Sequence, residues 1–201
     1  RRVSPIAPPL GESETNNTSR RAAWQVEHLD DGGRRLLAED ADYFLHQSVS
    51  TPCLAAIRRA EGCWIEDTAG RRYLDFHGNN VHHIGYGHPR LLAAIKAQLD
   101  ELPFAPRRFT CEPAVALARH LTEIGPPGLD KALFATGGSD AIEIALKIAR
   151  AATGRFKTLS FWDAFHGAGF GAASVGGEAL FRSGPIGPLL AGAEHLPPFA
   201  C

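Results

Sequence analysis

The stretch Leu133-Phe134-Ala135-Thr136-Gly137-Gly138-Ser139-Asp140-Ala141-Ile142-Glu143 passes from an apolar run, through two glycines and a serine, into a helical pattern. From Asp140 to Arg150, Ala141, Ala145, Ile148 and Ala152 continue one face, and Glu143, Lys147 and Arg150 fall opposite. The pattern predicts strand, tight turn, helix. Small residues at such a turn let a ligand approach the backbone, and the first N–H groups of the helix have no intrahelical partner. The turn can therefore hold a phosphate or carboxylate. The plainer reading is that Gly137 and Gly138 only make a tight turn. Neither G-x-G-x-x-G nor G-x-x-x-x-G-K-[ST] is present, so the nucleotide fingerprints are unmet.

Phe165-His166-Gly167 bears on that choice. An aromatic at the end of a neighbouring strand can lie flat against a planar ring whose phosphate sits at the helix N-terminus, a combination that suits pyridoxal 5'-phosphate. His166 also reads as an ordinary surface histidine. His77, His82, His83 and His88 have no spacing that places a metal-ligand set on one helix or hairpin, so no metal site is expected. Asn79-Asn80 reads as a turn pair, and Arg107-Arg108 as a solvated basic pair after a helix. Lys96, Lys131, Lys147 and Lys157 are the only lysines, and each reads as a solvated charge.

The elements that must position these residues follow from periodicity and punctuation. Residues 1–20 are rich in Pro, Ser, Asn and Arg and read as a disordered tail. Residues 21–78 read as a small N-terminal segment: helices over Ala22–Leu29 and Arg34–His46, parted by Asp31-Gly32-Gly33, then a β-hairpin within Glu61–Phe76 turning at Asp67-Thr68-Ala69-Gly70. Residues 79–201 read as an incomplete larger domain. Pro89 opens a helix that runs to Pro103, and Pro113 opens another that ends at Gly125, with Ala114, Leu117, Ala118 and Leu121 inward. Lys131–Ala135 and Thr158–Trp162 read as strands on either side of the opening helix, a βαβ unit with parallel strands. Its carboxyl edge delivers Asp163, Phe165, His166 and Gly167.

Composition narrows the function classes. The chain has 201 residues, 44% hydrophobic and 21% charged, with net charge −1, which gives no general reason to expect nucleic acid or an acidic membrane as partner. No apolar run is long enough to span a bilayer. Cys53, Cys63, Cys111 and Cys201 lack paired spacing, so reduced thiols in a cytoplasmic protein are expected. The chain begins at Arg1 and stops at Cys201, and both ends read as cut.

Gly85-Tyr86-Gly87-His88-Pro89, Ala135-Thr136-Gly137-Gly138-Ser139-Asp140-Ala141 and Phe165-His166-Gly167-Ala168, in that order, resemble the class III aminotransferase family. The resemblance covers residues 36 to 198. It implies an α/β fold, the N-terminal part of a fold-type I pyridoxal-phosphate-dependent transferase: a small α+β segment, then the start of a mostly parallel-sheet large domain. It places Gly138 and Ser139 at the cofactor phosphate and Phe165 on the cofactor ring, with Gly137 and His166 also among the cofactor-binding residues. The family's phosphate turn usually reads Asn-Ser-Gly-Thr/Ser-Glu-Ala, and this chain departs from it at Thr136, Gly137 and Asp140. Asp75-Phe76-His77-Gly78-Asn79-Asn80-Val81-His82, Leu102-Pro103-Phe104-Ala105-Pro106-Arg107-Arg108 and Gly176-Gly177-Glu178-Ala179-Leu180-Phe181-Arg182 resemble the branch acting as 1-hydroxy-2-aminoethylphosphonate ammonia-lyase.

That branch implies an amine substrate, an aminophosphonate, met by Asn79 and Asn80, with Arg107 and Arg108 on the phosphonate. It also implies a homodimer. The family's cofactor-binding lysine lies downstream of the matched region, so this chain is expected to lack covalent attachment and to be inactive alone. An ordinary transaminase, and a non-catalytic fragment that keeps the phosphate turn and a dimer surface, are the alternatives.

Overall fold

Two side-chain caps set the starts of the first two helices among the described residues. A computed structural model describes residues 18–45, 52–106, 108–182, 184 and 186–198, and the rest of the expected tail, residues 1–17, lies outside it. Helix α1, Ser19–His28, starts three residues before the apolar spacing predicts because the Thr18 hydroxyl accepts the Arg21 N–H at 3.2 Å. Helix α2, Asp31–Tyr43, likewise begins within the expected separator: Asp31-Gly32-Gly33 is its first turn. Asp30 causes this, since its Oδ1 accepts the Gly33 N–H at 2.8 Å and the Thr68 hydroxyl at 2.7 Å. A Cβ on Gly33 would lie 2.9 Å from each of those oxygens, so only glycine fits.

The chain divides into two compact units between Phe109 and Thr110. In the first, strands β1 (Ile57–Glu61), β2 (Trp64–Asp67) and β3 (Arg72–Leu74) form an antiparallel sheet in sequence order. The expected hairpin is β2–β3, with Gly70 at φ 82 in its turn. Strand β1 is additional, and its Arg-Arg-Ala interior lacks the alternation that marks a half-buried strand. Phe76 falls beyond β3 and is 91% exposed.

Asp67 fixes the hairpin turn. Its side chain is 1% exposed and accepts the Arg71 N–H at 2.8 Å and the Tyr73 hydroxyl at 2.7 Å, with the Arg71 guanidinium 3.0 Å away. Burial pushes its carboxyl up, but those three donors outweigh burial and hold it below the ordinary value. Helix α3, Pro89–Glu101, closes this unit's regular structure, with proline in its first turn.

In the second unit, helix α4 spans Glu112–Ile124, with Pro113 in its first turn and Gly125 as its C-cap. Its expected inward residues Leu117 and Leu121 stay 50% and 41% exposed, because the described residues do not cover that stripe. Helix α5 (Gly138–Thr153) is followed by β4 (Thr158–Phe161), the short helix α6 (Phe170–Val175) and β5 (Ala193–Leu196).

Two expectations are corrected here. Residues 131–135 are not in a ladder: β4 pairs in parallel with β5, from Thr158↔Ala193 to Phe161↔Leu196, and Leu133 and Phe134 are 65% and 50% exposed. The parallel crossover is thus the α6 segment that joins β4 to β5. The covered face of α5 also differs, since Ile148 is 56% exposed whereas Ile142, Glu143 and Leu146 are half-buried. Helix α6 explains this. Its buried run Gly171-Ala172-Ala173-Ser174-Val175 is small enough to approach closely, and the Glu143 carboxylate is drawn to the Ala172 N–H.

Candidate cofactor site

The N-terminus of α5 has no side-chain cap. Gly137 is the N-cap residue, with φ −172 and ψ 173, and the first turn contains Gly138, Ser139 and Asp140. Their N–H groups have no intrahelical acceptor. Extended backbone at Gly137 suits any residue, and a Cβ built on Gly137 or Gly138 meets nothing within 4 Å. Neither glycine is explained by conformation or by packing within the described residues. Both are exposed and adjoin the first N–H donors of the helix. An anion with several oxygens fits those donors. The Thr136 hydroxyl donates to the Asp140 carboxylate, which engages this shorter acid within the turn.

Ser139 joins the turn to the segment after β4. Its Oγ accepts the Ala168 N–H at 3.2 Å, and the hydroxyl keeps its own proton to donate. Gly167 is buried at φ 123, where a Cβ would lie 2.8 Å from Ser139 Cα. Glycine is needed there on both counts.

Phe165 follows Ala164, whose carbonyl accepts the Gly177 N–H at 2.8 Å. Its ring is 56% exposed and lies 4.6 Å from the Phe181 ring at 45°. His166 is half-buried, with Nε2 3.3 Å from Ser160 Oγ on β4. The structure therefore brings Gly137, Gly138, Ser139, Phe165 and His166 together in one unit.

Asn79, Asn80 and Arg108 belong to the other unit. Asn79 is exposed in the left-handed region at φ 46, which asparagine tolerates, and its N–H donates to His77 Nδ1 at 3.0 Å. Asn80 ends the 3-10 turn Gly78–Asn80. Arg108 is exposed at φ 83, and Arg107 lies outside the described residues. Beside Asn79, a cavity of about 500 Å³ is lined by Asp75, His77, His82, His83 and Tyr86 among others. Asp75 accepts the Tyr86 hydroxyl at 2.6 Å and the His77 and Gly78 N–H groups at 2.9 and 3.0 Å. These donors bring its carboxyl down to about 2. The four lysines are all exposed, and Lys157 pairs with Glu194 at 2.5 Å.

Sequence reading missed Glu143, which it assigned to the outer face of α5. The available signal was its place one turn beyond Ser139, together with the alternating glycines Gly167, Gly169 and Gly171.

The aminotransferase class-III family model matches residues 45–199. This chain belongs to the class III aminotransferase family. Over 187 residues it is 51% identical to the (R)-1-hydroxy-2-aminoethylphosphonate ammonia-lyase of Vibrio splendidus, covering 93% of this chain and 39% of that protein. It is 41% identical to the acetylornithine aminotransferase of Archaeoglobus fulgidus, covering 69% of this chain and 36% of that one.

Among solved structures, an (S)-enantioselective omega-transaminase from Thermomicrobium roseum superposes with TM-score 0.74 at 32% identity, over 82% of this chain and 40% of the other. The taurine:2-oxoglutarate aminotransferase of Bifidobacterium kashiwanohense, solved with PLP and glutamate, gives TM-score 0.74 at 28% identity, over 82% and 38%. The fold is thus that of the fold-type I transaminases over part of their length, and the family is pyridoxal-phosphate dependent. The chain spans well under half the length of these relatives.

Proposed function

We propose that this chain supplies the cofactor-phosphate part of a pyridoxal-phosphate enzyme. We further propose that the protein, at the length of its relatives, is an ammonia-lyase acting on 1-hydroxy-2-aminoethylphosphonate in aminophosphonate breakdown, as a cytoplasmic homodimer. One observation carries the cofactor reading: the N-terminus of α5 has no side-chain cap, and the exposed Gly137 and Gly138 adjoin its first N–H donors. The substrate reading is supported by 51% identity over 93% of the chain to a relative of that name.

When bound, pyridoxal phosphate supplies an electron sink for the carbon that bears the substrate nitrogen. The N–H groups of Gly138, Ser139 and Asp140 and the Ser139 hydroxyl hold the phosphate. Phe165 covers one face of the ring, steadied by Phe181. Ser160 orients His166 beside it. Arg107 and Arg108 bind the phosphonate, and Asn79 and Asn80 line the approach of the amine. With a hydroxyl on the carbon next to the one bearing nitrogen, elimination competes with transamination: that hydroxyl would leave as water with the proton lost from the carbon bearing nitrogen, and hydrolysis of the resulting enamine would give the aldehyde and ammonia with no amino acceptor.

The test is incubation of the protein, at its relatives' length, with 1-hydroxy-2-aminoethylphosphonate and no keto acid. Ammonia release supports the lyase. Turnover only after a keto acid is added identifies a transaminase instead, the reading favoured by the likeness to acetylornithine aminotransferase.

A further inference from the structure

Ser139 and Glu143 stand one turn apart on α5, and each accepts a backbone N–H from the segment after β4. Ala168 donates to Ser139 Oγ at 3.2 Å, and Ala172 donates to Glu143 Oε1 at 2.8 Å. The spacing is four residues on both sides, so the two bonds are successive ties between one face of α5 and the chain that runs from Ala168 into α6. The glycines of His166-Gly167-Ala168-Gly169-Phe170-Gly171 make this approach possible. A Cβ on Gly167 would lie 2.8 Å from Ser139 Cα, one on Gly169 2.9 Å from Glu143 Oε1, and one on Gly171 2.8 Å from Glu143 Cδ. Every second residue of the segment thus gives its side-chain volume to α5.

Ala172 is 0% exposed, so with Glu143 in place its N–H depends on that carboxylate for its partner. Helix α6 has no side-chain cap of its own, and Glu143 provides one from across the interface. The segment is also pinned at its start, where Ala164 accepts the Gly177 N–H at 2.8 Å. Between the two pins lie Phe165, His166 and the Ala168 N–H that engages Ser139.

We propose that Glu143 is a positioning residue of the cofactor site. By holding the start of α6 it sets the register of the segment over α5, and with it the orientation of the Ser139 hydroxyl and the placement of Phe165. Glu143 itself does not touch the cofactor. The role rests on the reading of the α5 turn as the phosphate site.

The full chain is compared with its Glu143→Ala, Glu143→Gln and Gly171→Ala variants by two measurements: amide hydrogen exchange without cofactor, and titration with pyridoxal phosphate followed by the circular dichroism induced in the cofactor band. Glu143→Ala is expected to speed exchange at both Ala172 and Ala168, and to weaken pyridoxal phosphate by about tenfold or more, the scale of a buried hydrogen bond to a charged group. Glu143→Gln keeps an oxygen acceptor and is expected to restore both readouts to within about threefold. Gly171→Ala is expected to push the carboxylate off Ala172 and reproduce the Glu143→Ala result, with no further loss when the two are combined. Exchange in β2 and β3 stays unchanged in a folded variant.

Faster exchange at Ala172 alone, with Ala168 and cofactor affinity unmoved, would overturn the proposal and leave Glu143 as a cap of α6. Failure of the unaltered chain to bind pyridoxal phosphate would overturn the cofactor reading and this role with it. That failure is told apart from failure of the clamp because the exchange measurement needs no cofactor.

Discussion

Gly167 and Ser139 are so close that a Cβ on Gly167 would come within 2.8 Å of Ser139 Cα, while Ser139 Oγ accepts the N–H of the next residue, Ala168, at 3.2 Å. The turn before α5 and the aromatic segment are therefore one structure. Gly167→Ala adds that contact to a φ of 123, and it is expected to cost about 3 kcal/mol of stability. Chemical denaturation of the pair checks it. An unchanged midpoint would mean that the segment does not seat on α5 as described.

Gly137 gives the opposite expectation. Its φ of −172 is open to any residue, and a Cβ there meets nothing within 4 Å. Gly137→Leu should leave the unfolding midpoint within about 0.5 kcal/mol of the unaltered chain, as at other unpacked surface sites. The side chain adjoins the first α5 donors and should nevertheless weaken pyridoxal phosphate at least about tenfold. Retained affinity would argue against a phosphate at this turn. This substitution separates function from folding, which Gly167→Ala does not.

Which parts were legible in the sequence follows from how local their causes are. Pro89, Pro113, Gly125 and Gly154 mark helix ends by their own backbone chemistry, and the structure has helix ends at these positions. The starts of α1 and α2 were missed because Thr18 and Asp30 act through single side-chain bonds, and Asp30 is also held by Thr68, distant in sequence. Residues 131–135 have the composition of a strand, but a strand needs a partner, and among the described residues none pairs with them. Glu143 looked like a solvated charge because the donor that captures it, the Ala172 N–H, lies 29 residues away.

Asp75 predicts a pH dependence. The Tyr86 hydroxyl, with the Gly78 and His77 N–H groups, lowers its carboxyl from 3.8 to about 2. A folded-state value below the unfolded one gives stability that is present above the unfolded value and is lost as pH falls through about 2. Between roughly pH 4 and pH 2 the unaltered chain should therefore lose stability more steeply than Asp75→Asn, as followed by denaturation across that range. Parallel curves would show that Asp75 does not hold the loop before α3.

Asp67→Ala should be among the most damaging changes in the first unit. The carboxylate is 1% exposed and satisfies the Arg71 N–H, the Tyr73 hydroxyl and the Arg71 guanidinium. Removal takes this acceptor from the Arg71 N–H and the Tyr73 hydroxyl, while the Arg71 guanidinium keeps the His28 carbonyl, at an expected cost of about 3 kcal/mol. Asp67→Asn should recover part of this, because its amide oxygen still accepts. Equal losses for the two variants would show that charge, and not hydrogen bonding, holds the turn.

The most direct test of the central claim is the shift of assigned backbone amide resonances when pyridoxal phosphate, and separately pyridoxal without phosphate, is added to the chain. The phosphate-bearing compound is predicted to move Gly138, Ser139 and Asp140 at the start of α5 and, through Ser139, Ala168, whereas pyridoxal leaves them in place. Equal shifts with both compounds, or none at these four residues, would contradict a cofactor phosphate held at this turn.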